Sequence, residues 1–255
     1  MKSPLCNRRA ALALGAAAAA SLVTPPLFAA TPRRPVVVEL FTSQGCSTCP
    51  KADAFLGDLA GHSDILALTL NVDYWDYIGW RDTLALPANT KRQYDYAARR
   101  GDNRIYTPQL IIDGYAHVVG SDRGAAMALI EEQKSVVNGG TVPMSSSMTD
   151  KEIRIAVGTA PNDILRKECS VVLMTVLPKV TVAIEKGENA GRTITYYNVV
   201  RKMLPIGMWQ GDSATLTLPR QGLTEGKEGA VCLLQIDATG HIIGALQWGL
   251  ERGDT

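Results

Sequence analysis

Cys46-Ser47-Thr48-Cys49 is the segment of this chain best suited to chemistry. It follows a β-branched run and opens a stretch of helical periodicity, so the first sulfur falls at the mouth of a helix. Unpaired backbone N–H groups and the helix dipole favour an anion there. Such surroundings lower a thiol's pKa and make thiolate available near neutral pH. The second cysteine lies one helical turn on and can reach the first sulfur. A mixed disulfide formed at Cys46 can then be resolved by Cys49. Pro50 stands where a helix start needs no N–H.

The same four residues also fit half a zinc site or a permanent cross-link. No second CxxC exists, and His62, His117 and His241 are scattered, which argues against tetrahedral zinc. Two thiolates would suit Cu(I), but no neighbouring Cys-Met-His run supports copper handling. Position favours the redox reading, because the pair lies just after a buried strand. A second signal is Ile105-Tyr106-Thr107-Pro108-Gln109-Leu110-Ile111-Ile112-Asp113-Gly114. Pro108 starts a strand there, where a missing N–H must be tolerated.

The elements that must position these residues follow from periodicity. Residues 36–41 are β-branched and apolar and predict a buried strand. Ala52, Phe55, Leu56 and Leu59 recur at helical spacing up to Gly61. Residues 65–72 predict a strand, 88–100 a helix closed by Gly101, and 109–112 and 116–119 a hairpin turning at Asp113-Gly114. A last helix runs over 125–137. The order βαβαββα predicts a mixed sheet with helices on both faces over residues 31–138. After Asn138-Gly139-Gly140 the pattern changes. Short strand-like runs near 152–157, 170–177, 179–185, 193–200, 214–218, 230–236 and 241–247 predict a separate, smaller all-β sandwich-like domain over 141–255.

At the N-terminus, Lys2, Arg8 and Arg9 precede an Ala/Leu-rich run and the small pair Ala29-Ala30. This is the pattern of an export signal over residues 1–30. The route is twin-arginine, suggested by Arg8-Arg9, or general secretory. The signal carries three basic and no acidic residues, so its removal takes the net charge from +1 to −2. No basic patch calls for nucleic acid, and no later apolar run is long enough for a membrane span. Four cysteines then remain, and an oxidising compartment permits disulfides.

Phe41-Thr42-Ser43-Gln44-Gly45-Cys46-Ser47-Thr48-Cys49 resembles a glutaredoxin active-site approach. Thr107-Pro108, Asp113-Gly114 and Gly120-Ser121-Asp122 resemble the cis-proline strand, hairpin and helix start of the thioredoxin superfamily. The chain as a whole resembles an uncharacterised secreted thioredoxin-like family, domain of unknown function 1223. The resemblance rests on Glu39 to Cys46, Val72-Asp73-Tyr74-Trp75-Asp76-Tyr77, Gly79-Trp80-Arg81-Asp82, Tyr106-Thr107-Pro108-Gln109 and Gly187 to Thr193. It implies an α/β thioredoxin-like domain and a redox centre, with a cis Thr107–Pro108 bond that turns the Thr107 backbone toward a substrate. It also implies, from the buried acid of thioredoxins, a proton-moving role for Glu39, although Glu39 lies one residue farther from the first cysteine. Ser121 and Asp122 match the element that holds glutathione in glutaredoxins; a plain helix cap is the simpler reading.

Tyr74, Trp75, Tyr77 and Trp80 form an aromatic stretch. Trp75 and Trp80 are candidates for a substrate wall, or for a hydrophobic cover packed between the two domains. Asp73, Asp76 and Asp82 read as turn formers and caps. Cys169 and Cys232 read as either an inter-sheet disulfide or two core thiols. The expected activity is that of an exported thiol–disulfide oxidoreductase with no cofactor. It would act on a thiol- or disulfide-bearing protein, or on glutathione. The alternative is a binding or scaffold protein in which the CxxC is a structural disulfide.

Overall fold

A computed structural model describes residues 34–138, 140–221 and 228–250. The expected export signal lies outside the described residues. β1 (Val36–Thr42) and β2 (Ile65–Asn71) pair in parallel, with Val36 opposite Ile65 and Thr42 opposite Asn71. Both strands are buried on both faces, which accounts for their unbroken apolar character. β3 (Gln109–Ile112) runs antiparallel to β1, and β4 (Ala116–Val119) antiparallel to β3. α1 (Pro50–Ala60) and α3 (Arg123–Asn138) pack on one face against Val36, Val38 and Leu40. α2 (Pro87–Arg100) places Tyr96 on the other face, against Val37 and Phe41. Gly101 ends α2 at φ +74°, a conformation that favours glycine.

The sheet does not stop at the boundary expected near 138–141. The second half contributes β5 (Met144–Met148), β6 (Glu152–Val157), β7 (Cys169–Ala183), β8 (Thr193–Trp209), β9 (Ala214–Pro219), β10 (Gly229–Ile236) and β11 (Ile242–Trp248). Eight strands form one mixed sheet in the order β11-β10-β7-β8-β2-β1-β3-β4. β5, β6 and β9 form a second, three-stranded sheet. The halves join where β8 meets β2. A single ladder pair, Thr69 with Val199, is reinforced by side chains. Thr69 Oγ1 donates to the Tyr197 carbonyl at 2.6 Å, and Asn198 Nδ2 donates to the Ala67 carbonyl at 2.9 Å.

A core continuous across the seam follows from this pairing. Phe41, Leu68 and Leu70 pack in one cluster with Met174, Val200 and Leu233. The small sheet packs on the opposite face of β7 and β10, with Ile153, Ile155, Trp209 and Leu234. A sandwich is therefore present, but its larger layer extends the first sheet. The runs expected at 170–177 and 179–185 are one strand, β7, that passes through Pro178. β8 likewise continues through Pro205 to Trp209, and the ladder shifts register beside Pro205, where the missing donor is tolerated.

One buried ion pair ties the layers together. Arg92 of α2 donates from Nε to Glu39 Oε1 at 2.6 Å and from Nη2 to Oε2 at 3.1 Å. Its Nη1 donates to Gln235 Oε1 of β10 at 3.0 Å. The Tyr96 hydroxyl donates to Glu39 and accepts from Gln235 Nε2. Burial pushes the Arg92 guanidinium down, but the Glu39 carboxylate more than reverses this and keeps it charged. Breaking such a pair strands a charge in the core. Arg92→Met should cost about 3–5 kcal/mol in urea unfolding, and adding Glu39→Gln should recover about half of that loss.

Candidate functional site

β1 runs into a tight turn that carries Cys46 to the mouth of α1. Cys46 N–H donates to the Ser43 carbonyl, and Cys49 N–H to the Cys46 carbonyl. The two cysteines are joined by a disulfide, with their Cα atoms 5.4 Å apart. Only Ser47 and Thr48 at the tip are exposed; Cys46 is 2% exposed and Cys49 is fully buried. Thr48 Oγ1 lies 3.4 Å from Cys46 Sγ. Gly45 allows the close approach of the aromatic stretch, because a Cβ there would meet Trp75 at 3.2 Å and Ile78 at 3.1 Å.

Side chains from distant segments hold this turn. Asn189, between β7 and β8, donates from Nδ2 to the carbonyls of Gln44 and Cys46 at 2.9 and 2.8 Å. Asp82 accepts from Gln44 N–H and Asn71 Nδ2 on one oxygen, and from the Leu84 and Ala85 N–H groups on the other. Trp80 Nε1 donates to Gln44 Oε1 at 2.8 Å, and Trp75 Nε1 donates to Thr107 Oγ1 at 2.8 Å. The Thr107–Pro108 bond is cis. Pro108 lies one step beyond the Phe41–Gln109 ladder pair, beside the turn.

A carboxylic acid lies behind the disulfide. Asp53 stands one helical turn after Cys49, and its N–H donates to the Cys49 carbonyl. Its Oδ1 accepts from Thr42 Oγ1 at 2.7 Å, while its Oδ2 is buried with no partner. Burial pushes the Asp53 carboxyl up to about 8, against the Thr42 hydrogen bond and with help from the Asp82 charge. The Tyr196 hydroxyl of β8 is also buried without a partner, and it is made less acidic by burial and by Asp53 and Asp82.

The model for a protein family of unknown function, DUF1223, matches residues 37–235. The chain belongs to this family. A crystal structure of a protein from Agrobacterium tumefaciens is similar, with 35% identity and a TM-score of 0.74. That match covers 89% of this chain and 98% of the other. HBP35 of Porphyromonas gingivalis shares the fold alone, at 11% identity and a TM-score of 0.59 over 86% of this chain and 76% of its own. No curated protein matches the chain.

This DUF1223 chain brings Cys46, Cys49, Thr107, Pro108, Trp75 and Trp80 together. Glu39 is not with them. Side chains alternate across a strand, so the one-residue offset turns Glu39 to the face opposite α1, where Arg92 binds it. The buried acid beside the pair is Asp53, carried by the helix. Its sequence signal is a carboxylate on the apolar face of α1, four residues after Cys49. Trp75 and Trp80 are half-buried and spend their N–H groups inside the shell, so they brace the turn. Asp122 caps α3 by accepting from Ala125 N–H. Ser121 lines a shallow cavity of about 300 Å³ with Ser47, Thr48, Pro50, Lys51 and Arg192. Cys169 and Cys232 are free, buried core thiols, each pushed up to about 12 by burial. Gln44 and Asn189 lie in segments that carry the family resemblance, but their meeting depends on contacts between segments far apart in sequence. Among the described residues no group of three ligating side chains could hold a metal ion.

The raised Asp53 carboxyl links folding to pH. The folded chain holds this proton up to about pH 8, whereas the unfolded chain releases it near pH 4. The stability it contributes is fully present below about pH 4 and is lost as pH rises toward 8. Asp53→Asn should flatten this decline in urea midpoints measured from pH 4 to 8, with the larger gain over wild type at pH 8.

Proposed function

We propose that this protein is an exported thiol–disulfide oxidoreductase with a thioredoxin-like fold in its first half. The observation that carries the reading is the Cys46–Cys49 disulfide at the mouth of α1, with the Thr107-Pro108 strand alongside. The basic, apolar and small-residue pattern of residues 1–30 supports export by the twin-arginine or general secretory route. Among the described residues no helix is long and apolar enough to cross a membrane.

In the oxidised state, a partner thiolate attacks Cys46 Sγ. A mixed disulfide forms, the Cys46–Cys49 bond breaks, and Cys49 leaves as a thiolate. Asp53, protonated at neutral pH, supplies the proton that Cys49 takes up. A second partner thiolate then attacks the partner's sulfur and releases Cys46. The partner dithiol becomes a disulfide, and the two protons its thiols released to solvent return to Cys46 and Asp53, leaving the Cys46–Cys49 pair as a dithiol. The partner is a thiol- or disulfide-bearing protein or glutathione. It would approach over the cavity at Ser47 and Ser121, where Lys51 and Arg192 suit a carboxylate.

One observation favours a second reading. Both sulfurs are almost fully covered, which suits a structural staple in a binding protein. The reduction potential separates the two. A value below about −300 mV marks a staple, and a value well above it marks an exchanging pair. Because the exchange runs in both directions, Cys46→Ser should bring both dithiol-peptide oxidation and insulin reduction to the uncatalysed rate, and undiminished turnover in both would remove the enzymatic reading. Asp53→Asn should slow Cys49 release about a hundredfold and shift the pH–rate profile, read by stopped-flow thiol exchange.

A further inference from the structure

The end of the sheet opposite the cysteines holds a second concave site. β1 starts at Val36 and reaches the Cys46 turn only at its far end. At its start, Asp113 brackets Val37 through both backbone and side chain. Beside this corner lies a cavity of about 590 Å³, within the range of small-molecule sites, about 300–1,000 Å³. Its walls come from the last turns of α3, the segment 140–141, the turn at 164–165 and the β10–β11 hairpin. The lining surface is mainly apolar, with polar and charged side chains among it.

Three further observations point to a ligand. First, Tyr115, Val136 and Ile164 line this cavity while 47%, 58% and 77% exposed. They are three of the nine large apolar side chains left exposed among the described residues. Apolar surface gathered at one concavity marks a binding site rather than scattered exposure. Second, Arg34 lines the cavity with its side chain 5% exposed. Its fork is spent on Asp113 at 2.7 and 3.0 Å, but its Nε is buried with no partner. A buried donor without an acceptor calls for an explanation. Third, Lys167 stands at the rim, and no carboxylate among the described residues pairs with it. His241 packs edge-on to Tyr115 at 5.0 Å, and burial lowers its pKa, so it adds no charge at neutral pH.

We propose that this cavity binds a small amphipathic carboxylate. The apolar body lies against Val136, Ile164 and Ile243, and the carboxylate faces Lys167. Glu132 also lines the cavity and repels an anion close to it, which restricts the carboxylate to the neighbourhood of Lys167. This site stands apart from the cysteine chemistry and does not depend on it.

Titration calorimetry on the mature full chain, with decanoate below its micelle concentration, tests the assignment. Decanol and decylamine test the headgroup. Saturable one-to-one binding of decanoate is expected, with both analogues about tenfold weaker. Ile164→Asp and Lys167→Glu change exposed side chains, so the fold should persist, and unchanged urea midpoints check this. Each should weaken decanoate about tenfold. A Cys46→Ser/Cys49→Ser protein should bind as wild type does. Failure of decanoate to saturate the protein overturns the proposal. So does affinity indifferent to Ile164→Asp, or decylamine binding as tightly as decanoate.

Discussion

The buried pair of Glu39 and Arg92 sets the terms for the rest of the molecule. Neither charge is tolerable in the core without the other, so β1 and α2 must meet in one register. Gln235 and Tyr96 complete the hydrogen bonding, which fixes β10 to the same point. Through β10 the pair reaches β7 and β8, and β8 closes on β2 with a single ladder pair. So thin a backbone seam holds because the polar network and the continuous apolar cluster on that face carry the load. One eight-stranded sheet thus runs through both halves of the chain.

The same joining produces the site. The segment 187–192 follows β7, and its Asn189 amide binds two carbonyls of the Cys46 turn. Asp82 and Trp80, from the aromatic stretch, hold Gln44 from the other side. The turn is therefore fixed by hydrogen bonds from both halves of the chain. The polar groups behind it are incompletely matched: Asp53 Oδ2 and the Tyr196 hydroxyl have no partner. Such gaps cost free energy in the core. On the proposed function, they would leave a proton available beside the exchanging pair.

The first half was legible because its signals are local. Val36 to Phe41, the helical spacing of Ala52 to Leu59, and Asp113-Gly114 specify their elements through short-range rules, and the structure follows them. The second half was legible as strands but not as architecture. Pro178 and Pro205 look like breaks, yet the long strands run through them. Ser145 to Ser147 carry no strand signal, yet they pair with β6. Whether β8 joins β2 depends on Thr69 and Asn198 meeting across the chain, which no local pattern encodes. At the candidate site, Cys46 and Cys49 are readable from type and spacing and Pro108 as a strand start, whereas the cis Thr107–Pro108 bond was implied by the family resemblance. Glu39 was misplaced by one residue of strand alternation, and Asp53 was overlooked as an ordinary residue of an amphipathic helix.

The near-complete burial of Cys46 connects these points. A sulfur sealed by its own loop would respond only to local motion. Here Trp75 and Ile78 pack against the same turn at Gly45, and Asn189 of the second half binds the Cys46 carbonyl. Access to the disulfide is thus coupled to how firmly the aromatic stretch and the 187–192 segment stay docked. The Asn189 bonds anchor the turn's backbone rather than its sulfurs, so releasing them would free the turn without first breaking the core. On the proposed function, the second half would take a physical part in the chemistry although it supplies no reacting group. It would set the free-energy cost of uncovering the first sulfur, and so the balance between a protected cross-link and an exchanging one.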